Sequence, residues 1–106
     1  MAQKAITYSE AEIAERLGAL PGWSYEGGEL RRTYKTDGWP TTVMFVNAFA
    51  YFAEASDHHP DLEVGWGKVV VRLSTHSARG ITEKDFALAR RIEEIAQAHA
   101  AVRTAG

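Results

Sequence analysis

The sequence predicts an α+β domain: a four-stranded antiparallel sheet with three helices on one face, in the order α-β-β-α-β-β-α. Three observations predict it. Glycine-bearing turns at Gly27-Gly28 and at Gly65-Trp66-Gly67 each separate two short alternating runs, and hairpins make antiparallel strands. Two stretches, Ser9 to Glu12 and Thr82 to Asp85, have the form of capping boxes that open helices. Between the hairpins lies a long apolar run with a proline at its start, which suits a third helix. Strands joined as hairpins leave the helices to cover one face of the sheet.

The elements follow in order. Ser9 opens the first helix, Ile13, Leu17 and Leu20 give its apolar spacing, and Pro21-Gly22 is expected to end it. Trp23-Ser24-Tyr25 alternates, and Leu30, Arg32 and Tyr34 alternate after the glycine turn, which predicts a hairpin over about residues 23–35. Asp37-Gly38-Trp39-Pro40 breaks the chain and starts the second helix, expected to run to about Ser56. That helix carries Val43, Phe45, Val46, Phe49, Phe52 and Ala53, with Met44, Ala48 and Tyr51 around them. One side suits a sheet; the surplus predicts a subunit contact, hence a homo-oligomer, dimer or tetramer. Leu62 and Val64, then Val69 to Leu73, form the second hairpin. A loop ends at Gly80. Thr82 then caps the third helix, with Ile81 and Phe86 placed as a hydrophobic staple and Phe86, Ala89, Ile92, Ile95 and Ala96 as its apolar stripe. The alanine-rich tail from Ala98 is expected to fray, and His99 to be solvated.

Composition narrows the function classes. With 106 residues, one domain over residues 1–106 is expected. Apolar residues at 45% and charged residues at 25% fit a globular chain. A net charge of −2, with both signs interspersed, argues against direct nucleic-acid binding through a basic face. The absence of cysteine excludes disulfides and thiolate metal sites and fits a reducing, cytoplasmic compartment. The first twenty residues carry Glu10, Glu12 and Glu15 and do not read as a signal peptide. No run is long and apolar enough to cross a membrane.

Chemistry concentrates in residues 54–85. His58 and His59 are adjacent and precede Pro60, so they must end the second helix, because a residue before proline leaves the helical region. His76 follows Ser74-Thr75 at the end of a β-branched strand. The second hairpin leaves the helix end and returns to it, so three imidazoles are expected around one cleft, near Asp85. Adjacent histidines do not have the spacing of a tetrahedral metal site, so no metal is expected. Glu54 and Asp57 on the last turn read either as exposed charges or as support for the site. Trp66 reads as a lid or, more readily, as hairpin packing. Asp85 reads as a helix cap, an orienter of His76, or both. Arg31-Arg32 and Arg90-Arg91 read as pairs on solvated faces, and Trp23, Phe45 and Phe49 as core.

Glu54-x3-His58-His59-Pro60, with Trp66, His76 and Asp85 at their gaps, resembles the signature of the pterin-4a-carbinolamine dehydratases. Ser74-Thr75-His76 and Gly80-Ile81-Thr82 resemble that family's segment after its fourth strand, and Leu20-x2-Trp23 its first strand. The likeness covers residues 8–95. It departs at Trp39-Pro40, where the second helix starts differently, and at Gly65 and Gly67 around Trp66.

The resemblance implies dehydration of a 4a-hydroxytetrahydropterin to quinonoid dihydropterin plus water, in tetrahydrobiopterin recycling, with a pterin substrate and no cofactor. The C4a hydroxyl leaves only when protonated, and the neighbouring ring nitrogen must lose its proton, so an acid and a base are needed. His58 and His76 are the expected acid/base pair and His59 the group that positions pterin, with the roles of His58 and His59 interchangeable. Glu54, Asp57, Trp66, Ser74, Thr75 and Asp85 are expected to bind substrate or support the histidines. The alternative is a non-catalytic dimerisation or partner-binding protein, since animal members of the family also serve as dimerisation cofactors of a homeodomain transcription factor.

Overall fold

The computed structural model describes residues 6–99 and 102–104. The elements are α1 (Glu10–Leu17), β1 (Ser24–Glu26), β2 (Glu29–Thr36), α2 (Trp39–Ala55), β3 (Asp61–Gly65), β4 (Lys68–Leu73), α3 (Glu83–Ala98) and β5 (Val102–Thr104). A 3-10 turn, His76–Ala78, lies between β4 and α3. The expected helices, hairpins and chain order are all present. The strands lie in the order β1-β2-β4-β3, every pairing antiparallel.

Alternation decides which face is covered. Leu30, Arg32 and Tyr34 on β2, and Val69, Val71 and Leu73 on β4, are buried, while the residues between them are partly exposed. Successive side chains of a strand point to opposite faces, so the buried set defines the helix-covered side. Helix α2 lays Thr42, Phe45, Phe49 and Ala53 onto it, and α3 adds Phe86, Ala89, Ile92 and Ala96. Tyr34, Phe45 and Phe49 meet edge to face, with centroids 5.0 and 5.1 Å apart. Each such buried ring contributes roughly 1.5–3 kcal/mol.

Both capping boxes form. Ser9 and Glu12 exchange hydrogen bonds with each other's backbone, as do Thr82 and Asp85. Ile81 and Phe86, flanking the second box, are both buried.

Three features differ from expectation. Helix α1 stops at Leu17 rather than at Pro21, because Gly18 follows and the next N–H groups fold into tighter bonds, Ala19 to Arg16 and Leu20 to Leu17. Leu20 is still buried. The tail does not simply fray: Val102–Thr104 pairs with the Tyr34–Thr36 segment of β2. Strand β1 pairs with Glu29 to Arg31 on that edge of β2, and β5 with Tyr34 to Thr36. His99 caps α3 and is partly buried; Ala100 and Ala101 lie outside the described residues.

The third difference is Arg32, which is 4% exposed instead of solvated. Its Nε lies 3.4 Å from Glu93 Oε1, an ion-pair contact outside hydrogen-bond geometry. The same oxygen accepts from Tyr34 Oη at 2.6 Å and Trp23 Nε1 at 3.1 Å. Burial and the Glu93 carboxylate push the Tyr34 hydroxyl far above its ordinary value, so it remains a donor. Gly22 makes room for this group. A Cβ there would stand 1.7 Å from Arg32 Nη1, and its φ of +88° already excludes most side chains.

Candidate active site

The site is built where α2 ends. Ser56 caps the helix, and its hydroxyl donates back to the Phe52 carbonyl at 2.8 Å. Asp57 then takes a left-handed backbone, φ 51°. Its N–H donates to the Glu54 carbonyl at 3.1 Å, and the His58 N–H to the Ala53 carbonyl at 3.0 Å. This pair of bonds is a Schellman closure, which satisfies carbonyls a helix end would leave open. It sends the two histidines apart.

His58 turns inward and is 8% exposed. Its Nε2 lies 2.6 Å from Asp85 Oδ1. The other carboxylate oxygen of Asp85 accepts from Thr75 Oγ1 at 2.8 Å and from the Thr82 backbone N–H at 2.9 Å. The Thr75 and Thr82 hydroxyls are 2.8 Å apart. Asp85, fully buried, thus ties the end of α2 to the end of β4 and the start of α3. A carboxylate oxygen is an acceptor, so this contact suits an imidazole that carries a proton on Nε2. Asp85 meets His58 rather than His76, the partner expected from sequence, because Asp85 lies in the core and His76 is exposed.

His59 turns outward. Its Nε2 lies 2.8 Å from Glu54 Oε1, and both side chains are exposed. They line a cleft of about 720 Å³ between α2 and β3, whose walls include Phe49, Ala50, Tyr51, Pro60 and Leu62. That lies within the roughly 300–1,000 Å³ of small-molecule sites, and the apolar walls with few polar groups suit a flat heterocycle. Leu62, Ala50 and Tyr51 were not singled out as site residues. The available signals were the inward position of Leu62 on the strand after Pro60, and the surplus apolar residues of α2, some of which line this cleft. A second cleft of about 350 Å³ lies on the other side of the helix end, lined by His58, Phe52, Lys84 and Arg91 among others.

His76 opens the 3-10 turn after β4 and is strongly exposed, its Nε2 4.0 Å from Asp61 Oδ2. The turn is held by a bridge between Thr75 and Gly80. Thr75 is buried within the Asp85 group, while Ser74 is partly buried beside it. Asp57 is exposed at the turn it forms.

Trp66 does not join this site within the chain. It sits at the β3–β4 turn, a strand length or roughly 17 Å from the histidine end. There its ring lies over Gly38, and its carbonyl accepts from Thr42 Oγ1 at 2.9 Å, near the start of α2. The hairpin runs away from the histidines before it returns, which fits the packing reading of Trp66 rather than the lid. Among the described residues, no group of three or more His, Asp and Glu side chains is placed to hold a metal ion, and no helix is long and apolar enough to cross a membrane.

Residues 6–95 match the family described as pterin 4 alpha carbinolamine dehydratase. A protein from Roseiflexus sp. strain RS-1, provisionally named a pterin-4-alpha-carbinolamine dehydratase, is 48% identical over 86% of this chain and 98% of its own length. One from Chloroflexus aurantiacus, also provisionally so named, is 49% identical over 82% of this chain and 94% of its own. Among solved structures, a transcriptional coactivator/pterin dehydratase from Brucella melitensis superposes with a TM-score of 0.82 at 35% identity, covering 85% of this chain and 98% of that one. A pterin dehydratase-like RuBisCO assembly factor of the alpha-carboxysome shares the fold at 22% identity and a TM-score of 0.61, over 70% of this chain and 88% of that one.

Proposed function

The chain belongs to the pterin 4 alpha carbinolamine dehydratase family, and from that premise we propose that it dehydrates a 4a-hydroxytetrahydropterin to the quinonoid dihydropterin, in recycling of tetrahydrobiopterin. The observation that carries the proposal is the His59–Glu54 pair on the wall of the apolar cleft. Phe49 and Leu62 offer the ring its apolar surroundings. Glu54, acceptor-only when ionised, suits the donor-rich edge of a pterin.

The exposure of His59 and His76 supports reading them as the acid and the base. One protonates the departing C4a hydroxyl, which leaves as water, and the other takes the proton from the neighbouring ring nitrogen. No electron leaves or enters. His58 is held by Asp85 and supports the site, which moves it from the acid/base pair expected from sequence to a positioning role.

The test is an assay with enzymatically generated carbinolamine, following formation of the quinonoid product. Turnover above the uncatalysed rate is expected, and its absence overturns the proposal. Exhaustive chelation should leave turnover unchanged.

A second reading is favoured by the exposed Trp39 and Met44 on α2, and by the coactivator named with the Brucella structure. A non-catalytic partner protein would use that apolar face and would lose nothing when His59 and His76 are both replaced. The same face suits a homo-oligomer. A monomer in sedimentation at micromolar concentration would refute that state.

A further inference from the structure

We infer that Asp57 is a positioning residue whose left-handed backbone, rather than its carboxylate, divides the adjacent histidines into one buried and one exposed imidazole. The catalytic consequence rests on the dehydratase reading; the conformational one does not.

The position after a helix cap in a Schellman closure is usually glycine, because an L residue there is strained. Asp and Asn are the side chains that tolerate it best. Asp57 holds φ 51° there, with both bonds of the closure made. Its side chain is exposed, and among the described residues its carboxylate takes no hydrogen bond or ion pair. What the residue supplies is therefore the turn.

The turn has a specific product. By pinning the His58 N–H to the Ala53 carbonyl, it seats the imidazole under the helix end, where an apolar side chain commonly packs in this motif. There the ring meets Asp85. One residue later His59 emerges on the other side, extended before Pro60, and meets Glu54. Were residue 57 right-handed, the helix would run on. Each further helical residue turns the next side chain by about 100°, so His58 would leave Asp85 and the pair would lose its division.

The test compares Asp57→Gly, Asp57→Asn and Asp57→Val. Two signals are read: the low-field imidazole N–H proton of His58 in NMR, and kcat and KM with generated carbinolamine. Glycine and asparagine keep the turn without the carboxylate, so both should keep the proton signal and turn over within about twofold of the parent, the range of a neutral surface change. Valine resists a positive φ, so it should lose the signal and lower kcat by about tenfold or more, with KM little changed. Loss of signal and turnover in the glycine and asparagine variants would make the carboxylate the acting group and overturn the inference. So would a valine variant that keeps both. If circular dichroism shows the valine variant unfolded, the glycine and asparagine variants decide alone. A parent protein without turnover would remove the dehydratase reading, while the proton signal would still decide the positioning.

Discussion

Asp85 and Glu93 stand eight residues apart on α3, about 12 Å, and both gather donors from other elements into a buried cluster. Glu93 collects Trp23, Tyr34 and Arg32. None of these changes charge near neutral pH: the guanidinium stays charged, the indole does not titrate, and the Tyr34 hydroxyl is pushed upward. Asp85 collects two threonines and one imidazole, the side chain type whose charge changes near neutrality. The difference lies in the donors rather than the acceptor. Glu93 ties the first hairpin to α3 through an indole, a phenol and a guanidinium, and Asp85 ties the end of α2 to α3 through an imidazole.

The sharpest break between the two regions is in turnover. His59→Ala and His76→Ala should each lower kcat by roughly 10²–10⁴-fold, the usual contribution of a general acid or base. Melting temperature should hardly change, since both side chains are exposed. Unchanged kcat in either variant would remove that residue from the chemistry.

Glu93→Leu should do the reverse. It leaves the Arg32 guanidinium buried and uncompensated, at a cost of about 3–5 kcal/mol. Denaturant unfolding should show the loss, while kcat per folded molecule stays near the parent value. A large drop in kcat with stability intact would mean that the two carboxylates are not separable in this way.

Tyr34→Phe refines the comparison. Loss of a hydrogen bond to a charged group should cost about 1.5–3 kcal/mol. The pH dependence gives a second signature. The folded Tyr34 value is raised above the ordinary 10.0, so its stabilising contribution is full below that pH and falls away as pH rises beyond it. The parent should lose stability above pH 10 more steeply than the phenylalanine variant. Equal slopes would place the tyrosine outside the Glu93 cluster.

Ser9→Ala is the smallest effect and the control. It removes one capping bond from α1, remote from both carboxylates, and should cost about 1 kcal/mol without altering kcat or the alkaline slope.

Local signals carried most of the fold. The capping boxes at Ser9 and Thr82, the glycine turns and the alternation of Leu30, Arg32 and Tyr34 each rest on neighbours within a few residues, and each formed as read. What escaped depended on distant partners. The alternation already placed Arg32 on the covered face, yet Arg31-Arg32 looked solvated because its partner, Glu93, comes from another element. Asp85 was visible as a cap, but sequence spacing could not say which imidazole it meets. The direction of His58 and His59 followed from the backbone at Asp57, and a left-handed aspartate leaves little trace in sequence. Trp66 fell at the far end of a hairpin whose length measured its separation from the histidines. Strand β5 was hidden in an alanine-rich segment, because the reason for it is an uncovered stretch of β2.

That last strand bears on how the chain is made. Tyr34 pairs with Thr104, so part of β2 has its neighbour only after seventy further residues have been synthesised. A ribosome delivers the hairpins and α2 well before this segment, at about 5–20 residues per second. For some seconds the nascent sheet carries an open strand edge, the kind of surface that recruits other chains. A chaperone that shields open strand edges would act within this window.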